Sequence, residues 1–257
     1  MNRANKAYKD IQQKYKTIQD SVRETEKQSN YFSFLRQSIL QEAIEGKLTA
    51  DWRKQNPVRK GDPNTDAAAL LEKIKQEKQK MIAEGKIKKE KPQDSIIDHE
   101  LQIPESWEYP LFGDITKQIT DGTHQTPTYV SQGRIFLSAQ NVKPFRFIPE
   151  NHQYISEEAF TEYRKNRIPE VGDLLIARVG AGIGETAVLN KDIEFVFYVS
   201  LGLVKTFKKY TIPEYLAIVC NSPYGVKYSK GNVSSGGTSA GNYNLGRIRS
   251  STSYYVR

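Results

Sequence analysis

Three polar stretches of the chain carry side chains suited to reading a nucleic acid. They are Asp121-Gly122-Thr123-His124-Gln125-Thr126, Ser138-Ala139-Gln140-Asn141-Val142-Lys143, and Ser234-Ser235-Gly236-Gly237-Thr238-Ser239 with Asn242 and Tyr243. Gln and Asn amides can pair bidentately with adenine, and Arg or Lys with guanine. Ser, Thr and backbone amides can hold phosphates. The candidate DNA contacts are Thr123, His124, Gln125, Ser138, Gln140, Asn141, Lys143, Arg178, Ser235, Thr238, Asn242 and Tyr243. Polar Gly/Ser/Thr loops are also ordinary connections, so each stretch alone reads equally as a plain turn.

A second set of residues suggests an enzyme. Val179-Gly180-Ala181-Gly182-Ile183-Gly184 follows a strand pattern over Asp173–Arg178. A glycine turn after a strand can cradle a phosphate or the methionine end of S-adenosylmethionine. Asn221-Ser222-Pro223-Tyr224 resembles the Asn/Asp-Pro-Pro-Tyr/Phe motif of amino-methyltransferases, where Asn holds the target amine and the aromatic ring stacks on a flipped base. Together they would make an adenine-N6 DNA methyltransferase. The context opposes this. Glu185-Thr186-Ala187-Val188-Leu189 is a strand pattern, not a helix start, and Ser222 stands where Pro is expected. No alternation of strands and helices suggests a doubly wound sheet. A tight hairpin accounts for the glycines, and the end of a Tyr215–Cys220 helix accounts for Asn221–Pro223. Glu157 and Glu158 are adjacent and point different ways on a helix, and no other catalytic cluster stands out. His99, His124 and His152 are far apart with no Cys pair, so no metal site is expected.

The length of 257 residues suits one or two domains. A net charge of +8 and a sequence pI of about 9.3 favour a polyanionic partner. The charge is uneven: residues 1–93 hold 21 Lys and Arg against 13 Asp and Glu, and residues 94–257 hold 17 of each. The single cysteine, Cys220, excludes an intrachain disulfide and fits a reducing, cytoplasmic setting. No apolar run approaches the roughly 18 residues of a membrane span, and no signal peptide is evident.

The elements that must position these loops follow from periodicity. Ala4, Tyr8, Ile11, Tyr15, Ile18, Val22, Thr25, Ser29 and Phe32 step alternately by four and three, a heptad seam that continues with one slip through Leu35, Ile39 and Ala43. It predicts one long helix over 4–46. The seam residues Tyr8, Ile11, Tyr15, Ile18, Val22, Phe32, Leu35 and Ile39 call for a partner helix, or else for burial on the chain's own domain. Residues 49–62 read as a loop. A second helix over 65–84 is capped by Asn64, Thr65 or Asp66 and stopped by Gly85. Its many lysines are either a solvated face or a contact for phosphates or an acidic subunit. Residues 92–106 read as a linker. From Trp107 onward, short β-branched and aromatic runs alternate with Gly, Pro and Asn. The expected fold class is therefore α+β: a long N-terminal coiled-coil arm within a helical region 1–91, then a mixed, strand-rich domain over 107–249 and an irregular tail over 250–257.

Taken in order, these pieces resemble the specificity (S) subunit of type I restriction-modification enzymes. Leu35-Arg36-Gln37-Ser38-Ile39-Leu40-Gln41-Glu42-Ala43-Ile44-Glu45-Gly46-Lys47-Leu48-Thr49 looks like the end of the family's spacer helix. Ala69 to Lys75 and Glu84 to Lys89 look like the segment after it. Ile103-Pro104-Glu105-Ser106-Trp107 and Leu111-Phe112-Gly113-Asp114-Ile115 look like the start of a target recognition domain. Gly172-Asp173-Leu174-Leu175-Ile176-Ala177-Arg178-Val179-Gly180 matches its central strand and turn, and Asn221-Ser222-Pro223 and Tyr243-Asn244-Leu245 its late part.

The resemblance implies a non-catalytic reader of double-stranded DNA. Modification subunits would dock on it and methylate adenine N6 with S-adenosylmethionine, and restriction subunits would add ATP- and Mg-dependent translocation and cleavage. No cofactor is then expected on this chain. A full subunit carries two recognition domains separated by two antiparallel helices, whereas this sequence has one domain and no second heptad after Arg247-Ile248-Arg249. A half-length or truncated form is expected, its seam pairing with a second copy or another subunit. A subunit-binding remnant without recognition function is the other expectation.

Overall fold

The computed structural model describes residues 3–90, 101–165, 167–231 and 241–252. Packing divides the chain into two compact units, residues 1–40 and 41–257.

The first unit is helix α1, Arg3–Ile44, whose last residues belong to the second unit. Its 42 residues span on the order of 60 Å. The expected seam from Tyr8 to Ile39 is exposed throughout, Ile11 at 65% and Ile18 at 61%. Tyr31 and Phe34, outside the heptad pattern, are exposed as well. At about 100° per residue, Phe34 lies far around the helix from Phe32, so apolar side chains ring this turn.

The second unit opens where α1 ends. Gly46 adopts φ +71°, and a Cβ there would also meet Pro104 Cγ at 2.7 Å. Ile44 is fully buried among Leu101, Trp107, Val219 and Tyr224. A 3-10 turn, Lys47–Thr49, leads into helix α2, Ala50–Gln55. This corrects the loop expected over 49–62. Asp51 in the first turn and Arg53 and Lys54 in the last complement the helix dipole, and the Arg53 guanidinium donates to Gly46 O at 2.7 Å. Helix α3, Ala67–Ala83, starts where Asp66 accepts the Ala68 N–H and ends before Gly85 at φ +69°.

Helix α3 packs within the second unit. Leu70 and Ile74 are buried in one cluster with Phe112, Ile115, Leu174, Val204 and Leu216. Its apolar stripe needs a cover, and the strand-rich part supplies it. Lys78 donates to Gly113 O from the edge of that contact, while Lys80 and Lys86 pair with Glu84.

The strands are β1 Thr116–Asp121, β2 Arg134–Leu137, β3 Val142–Lys143, β4 Arg146–Phe147, β5 Gln153–Ile155, β6 Leu174–Ala177, β7 Thr186–Val188, β8 Phe195–Phe197 and β9 Leu201–Thr206. One sheet has the order β1-β9-β6-β7, antiparallel throughout. A second has the order β5-β2-β8, with β2 and β8 parallel. β3 and β4 form a small hairpin. The helices of this part are α4 Glu157–Arg164, α5 Pro213–Asn221, α6 Pro223–Gly231 and α7 Leu245–Ser250. Ser156 caps α4, accepting the Ala159 N–H. α6 and α7 are helices that the sequence pattern did not suggest. Pro223 suits a first helical turn, and Asn244 Oδ1 caps α7 by accepting the Arg247 N–H. The expected class, α+β with a long N-terminal helix, is the observed one.

Candidate nucleic-acid interface

The two sheets bring the loops that follow β1 and β2 close to the end of β6. In the larger sheet Asp121 at the end of β1 pairs with Gly202, and Ala177 at the end of β6 pairs with Leu201, so both ends lie beside the start of β9. In the smaller sheet Leu137 ends β2 beside Phe197, the end of β8. The segment Tyr198–Ser200, which joins β8 to β9, runs between these ends and bonds to the first two loops and to Arg178. Thr123 donates its N–H to Phe197 O at 3.0 Å, and Val199 donates to Thr123 O at 2.9 Å. Ala139 donates its N–H to Ser200 Oγ at 3.0 Å, and Arg178 donates its own to Ser200 O at 2.8 Å. Of the third stretch, the described Asn242 forms a bridge with Val179, and the Tyr243 N–H donates to Arg178 O at 2.9 Å.

Arg178 is the knot of this arrangement. Its side chain is 4% exposed. Nη1 donates to Asp121 Oδ2 at 2.7 Å and to Val199 O at 2.8 Å, and Nε donates to Tyr243 O at 3.0 Å. A buried guanidinium with a carboxylate and two carbonyls is well satisfied.

The expected contact residues thus separate into two groups. Arg178, Asn141, Thr123 and Tyr243 are buried and help to build the loops. Asn141 is fully enclosed: Oδ1 accepts the Ser138 N–H at 2.8 Å, and Nδ2 donates to Ile148 O at 2.9 Å and Asn151 O at 2.7 Å. Thr123 Oγ1 accepts the Gln125 N–H at 3.1 Å. Burial holds the Tyr243 phenol well above its ordinary range. The sequence could not separate the groups, because an amide or guanidinium that reads a base and one that satisfies a backbone look alike in a polar loop.

His124, Gln125, Gln140 and Lys143 are exposed, while Ser138 and Asn242 are half-buried. His124 Nε2 lies 3.2 Å from Asp121 Oδ2, and Lys143 Nζ lies 3.4 Å from Glu185 Oε2. Asn242 Oδ1 has no hydrogen-bond partner among the described residues. Ser235 and Thr238 lie outside the described residues.

The residues of the enzyme reading have other uses. Gly180 and Gly184, at φ +77° and +85°, shape the turn of the antiparallel β6–β7 hairpin. The Gly184 N–H donates to Ala177 O at 2.8 Å. Asn221 is buried at the end of α5 with its amide bonded to Thr186 and Ala217. Among the described residues no group of three or more His, Cys, Asp or Glu could hold a metal ion, and no helix is long and apolar enough to cross a membrane.

No family model matches the chain. Two curated proteins of Escherichia coli are similar to it. The type I restriction enzyme EcoAI specificity subunit is 36% identical over 111 residues, 42% of this chain and 17% of that subunit. The EcoEI specificity subunit is 37% identical over 91 residues, 34% of this chain and 14% of that one. The matches thus span less than a fifth of either relative's length. Among solved structures, the HsdS subunit from Thermoanaerobacter tengcongensis is 14% identical with a TM-score of 0.40, covering 85% of this chain and 45% of that one. The S subunit of the type I restriction-modification system of M. genitalium is 13% identical with a TM-score of 0.39, covering 84% and 49%. The two curated relatives bear out the resemblance to type I specificity subunits drawn from the ordered sequence pieces.

Proposed function

We propose that this chain is a DNA-specificity component of a type I restriction-modification system and reads one half of a split duplex target without catalysing a reaction itself. One observation carries the reading. The Tyr198–Ser200 segment and Arg178 bond to the loops that follow β1 and β2, and His124, Gln125, Gln140 and Lys143 are exposed there. Exposed amides and imidazoles on backbone fixed at many points suit base edges, and Lys143 suits phosphates. The similarity to two specificity subunits supports the same reading.

On this reading the partners are double-stranded DNA, modification subunits and restriction subunits, in the cytoplasm. S-adenosylmethionine, ATP and Mg belong to those subunits. The exposed α1 seam takes a second copy of the chain, and such a homodimer presents two identical readers to a symmetric split site.

The test is co-expression with the matching modification subunit, followed by mapping of N6-methyladenine across the host genome. The expected result is a symmetric, split methylated motif. An intact complex with no new methylation would overturn the reading and leave a subunit-binding remnant. The methyltransferase reading is disfavoured by Asn221, whose amide is used within the fold.

A further inference from the structure

The Asp121 carboxylate is shared. Its Oδ2 accepts from Arg178 Nη1 at 2.7 Å and lies 3.2 Å from His124 Nε2. The three residues differ sharply in exposure: 4% for the Arg178 side chain, 14% for Asp121 and 70% for His124. A chain of contacts therefore runs from a buried guanidinium to an imidazole in solvent.

An ionised carboxylate can only accept, so Nε2 must carry the proton of this contact. In the neutral ring Nδ1 is then left with a lone pair and acts as an acceptor. In the major groove the groups that can donate to it are the exocyclic amino groups, N6 of adenine and N4 of cytosine. A free histidine would swap tautomers and rotate, offering donor and acceptor alike. One tied to a fixed carboxylate offers a single choice.

We propose that Arg178, Asp121 and His124 form a relay that sets base selection at one position of the target. Arg178 and Asp121 are positioning residues: Arg178 holds Asp121 while also holding Val199 and Tyr243, and Asp121 holds the ring. His124 determines specificity, its Nδ1 accepting from the amino group of an adenine or a cytosine. The inference rests on the proposed DNA-reading function and deepens it by naming the group read. Gln125 beside it carries both a donor and an acceptor and needs no such relay.

The experiment uses the full chain in complex with its modification subunit and a duplex bearing the mapped site. At each adenine or cytosine in turn the base is replaced by its amino-deleted analogue, purine or 2-pyrimidinone, and binding is measured by competition. For the wild-type complex, deletion at the His124 position is expected to weaken binding about tenfold or more, as loss of one base contact does. For His124→Ala the same deletion costs nothing. Arg178→Gln and Asp121→Ala erase the preference at that position and, combined with His124→Ala, add nothing further there. If His124→Ala keeps every amino-group preference, or if Arg178→Gln and Asp121→Ala weaken all sites uniformly, the relay is overturned. His124 is exposed, so its variant tests the proposal even if Arg178→Gln fails to fold. A wild-type complex with no preferred site overturns the DNA-reading function instead.

Discussion

The side chain of Asn221 pairs with the main chain of Thr186 as a neighbouring strand would. Oδ1 accepts the Thr186 N–H at 3.0 Å, and Nδ2 donates to Thr186 O at 2.8 Å. Nδ2 also donates to Ala217 O at 2.8 Å, so one amide fastens the end of α5 to the edge of β7. Both partners are buried. Asn221→Ala should lower stability by roughly 2–4 kcal/mol, since it strands buried backbone groups. Asn221→Asp should cost at least as much, because a carboxylate would face two carbonyls. Urea denaturation of the variants checks this; a loss within the scatter of surface substitutions would refute the structural role.

Gly184 and Gly180 should respond unequally to alanine. A Cβ on Gly184 would lie 2.1 Å from Ser229 Oγ, at φ +85°. A Cβ on Gly180, at φ +77°, meets nothing within 4 Å. Gly180→Ala should therefore cost only the left-handed strain, about 1–2 kcal/mol. Gly184→Ala adds a collision with α6 and should cost roughly 3 kcal/mol or more. Paired thermal melts decide it, and equal shifts would count against the hairpin geometry.

Asp173 gives the fold a defined acid response. Its Oδ2 accepts the Glu170 N–H at 2.9 Å and faces Lys205 Nζ at 2.9 Å. Burial pushes its carboxyl above the ordinary 3.8, and Lys205 only partly opposes the rise. Between 3.8 and the raised value the folded chain binds more protons than the unfolded one, so this group's contribution falls as pH rises through that window. Glu170 acts in the opposite sense. Burial raises its carboxyl, Lys205 and Lys208 outweigh the rise, and the net lowering gives stability that is lost as pH falls through the lowered value. Asp173→Asn should remove the first contribution alone. Urea midpoints across the acid range should then decline less on going up in pH than those of the wild type; parallel curves would contradict the assignment.

The α1 seam should govern association. Ile11 and Ile18 are 65% and 61% exposed on one stripe, and burying such side chains is worth about 1.5–3 kcal/mol each. The full chain is expected to sediment above its 29.3 kDa monomer mass, and Ile11→Asp with Ile18→Asp at that mass. The double variant should keep the melting transition of residues 41–257, whose core contains neither residue. A wild-type chain that sediments as a monomer would remove the homodimer from the proposed function.

Local pattern alone determined the long helix, the second helix with its glycine stop at 85, and the strands β6 and β7. Each of these depends on residues within a few positions of one another, where spacing and backbone freedom act directly. α2, α6 and α7 escaped because their sequences are short and weakly periodic. They are held by a cap, a proline or a tertiary contact that propensity does not register. The place of α3 was also hidden: an apolar stripe shows that a helix must be covered but not by what. The same limit applied to the polar loops. Their composition fitted recognition chemistry and plain turns alike, and strand order decided that the ends of β1, β2, β6 and β8 meet. Only that meeting buried Arg178 and Asn141 as supports and left His124, Gln125, Gln140 and Lys143 in solvent. Whether a polar side chain reads a ligand or satisfies a backbone depends on long-range neighbours, and those are fixed by the tertiary structure.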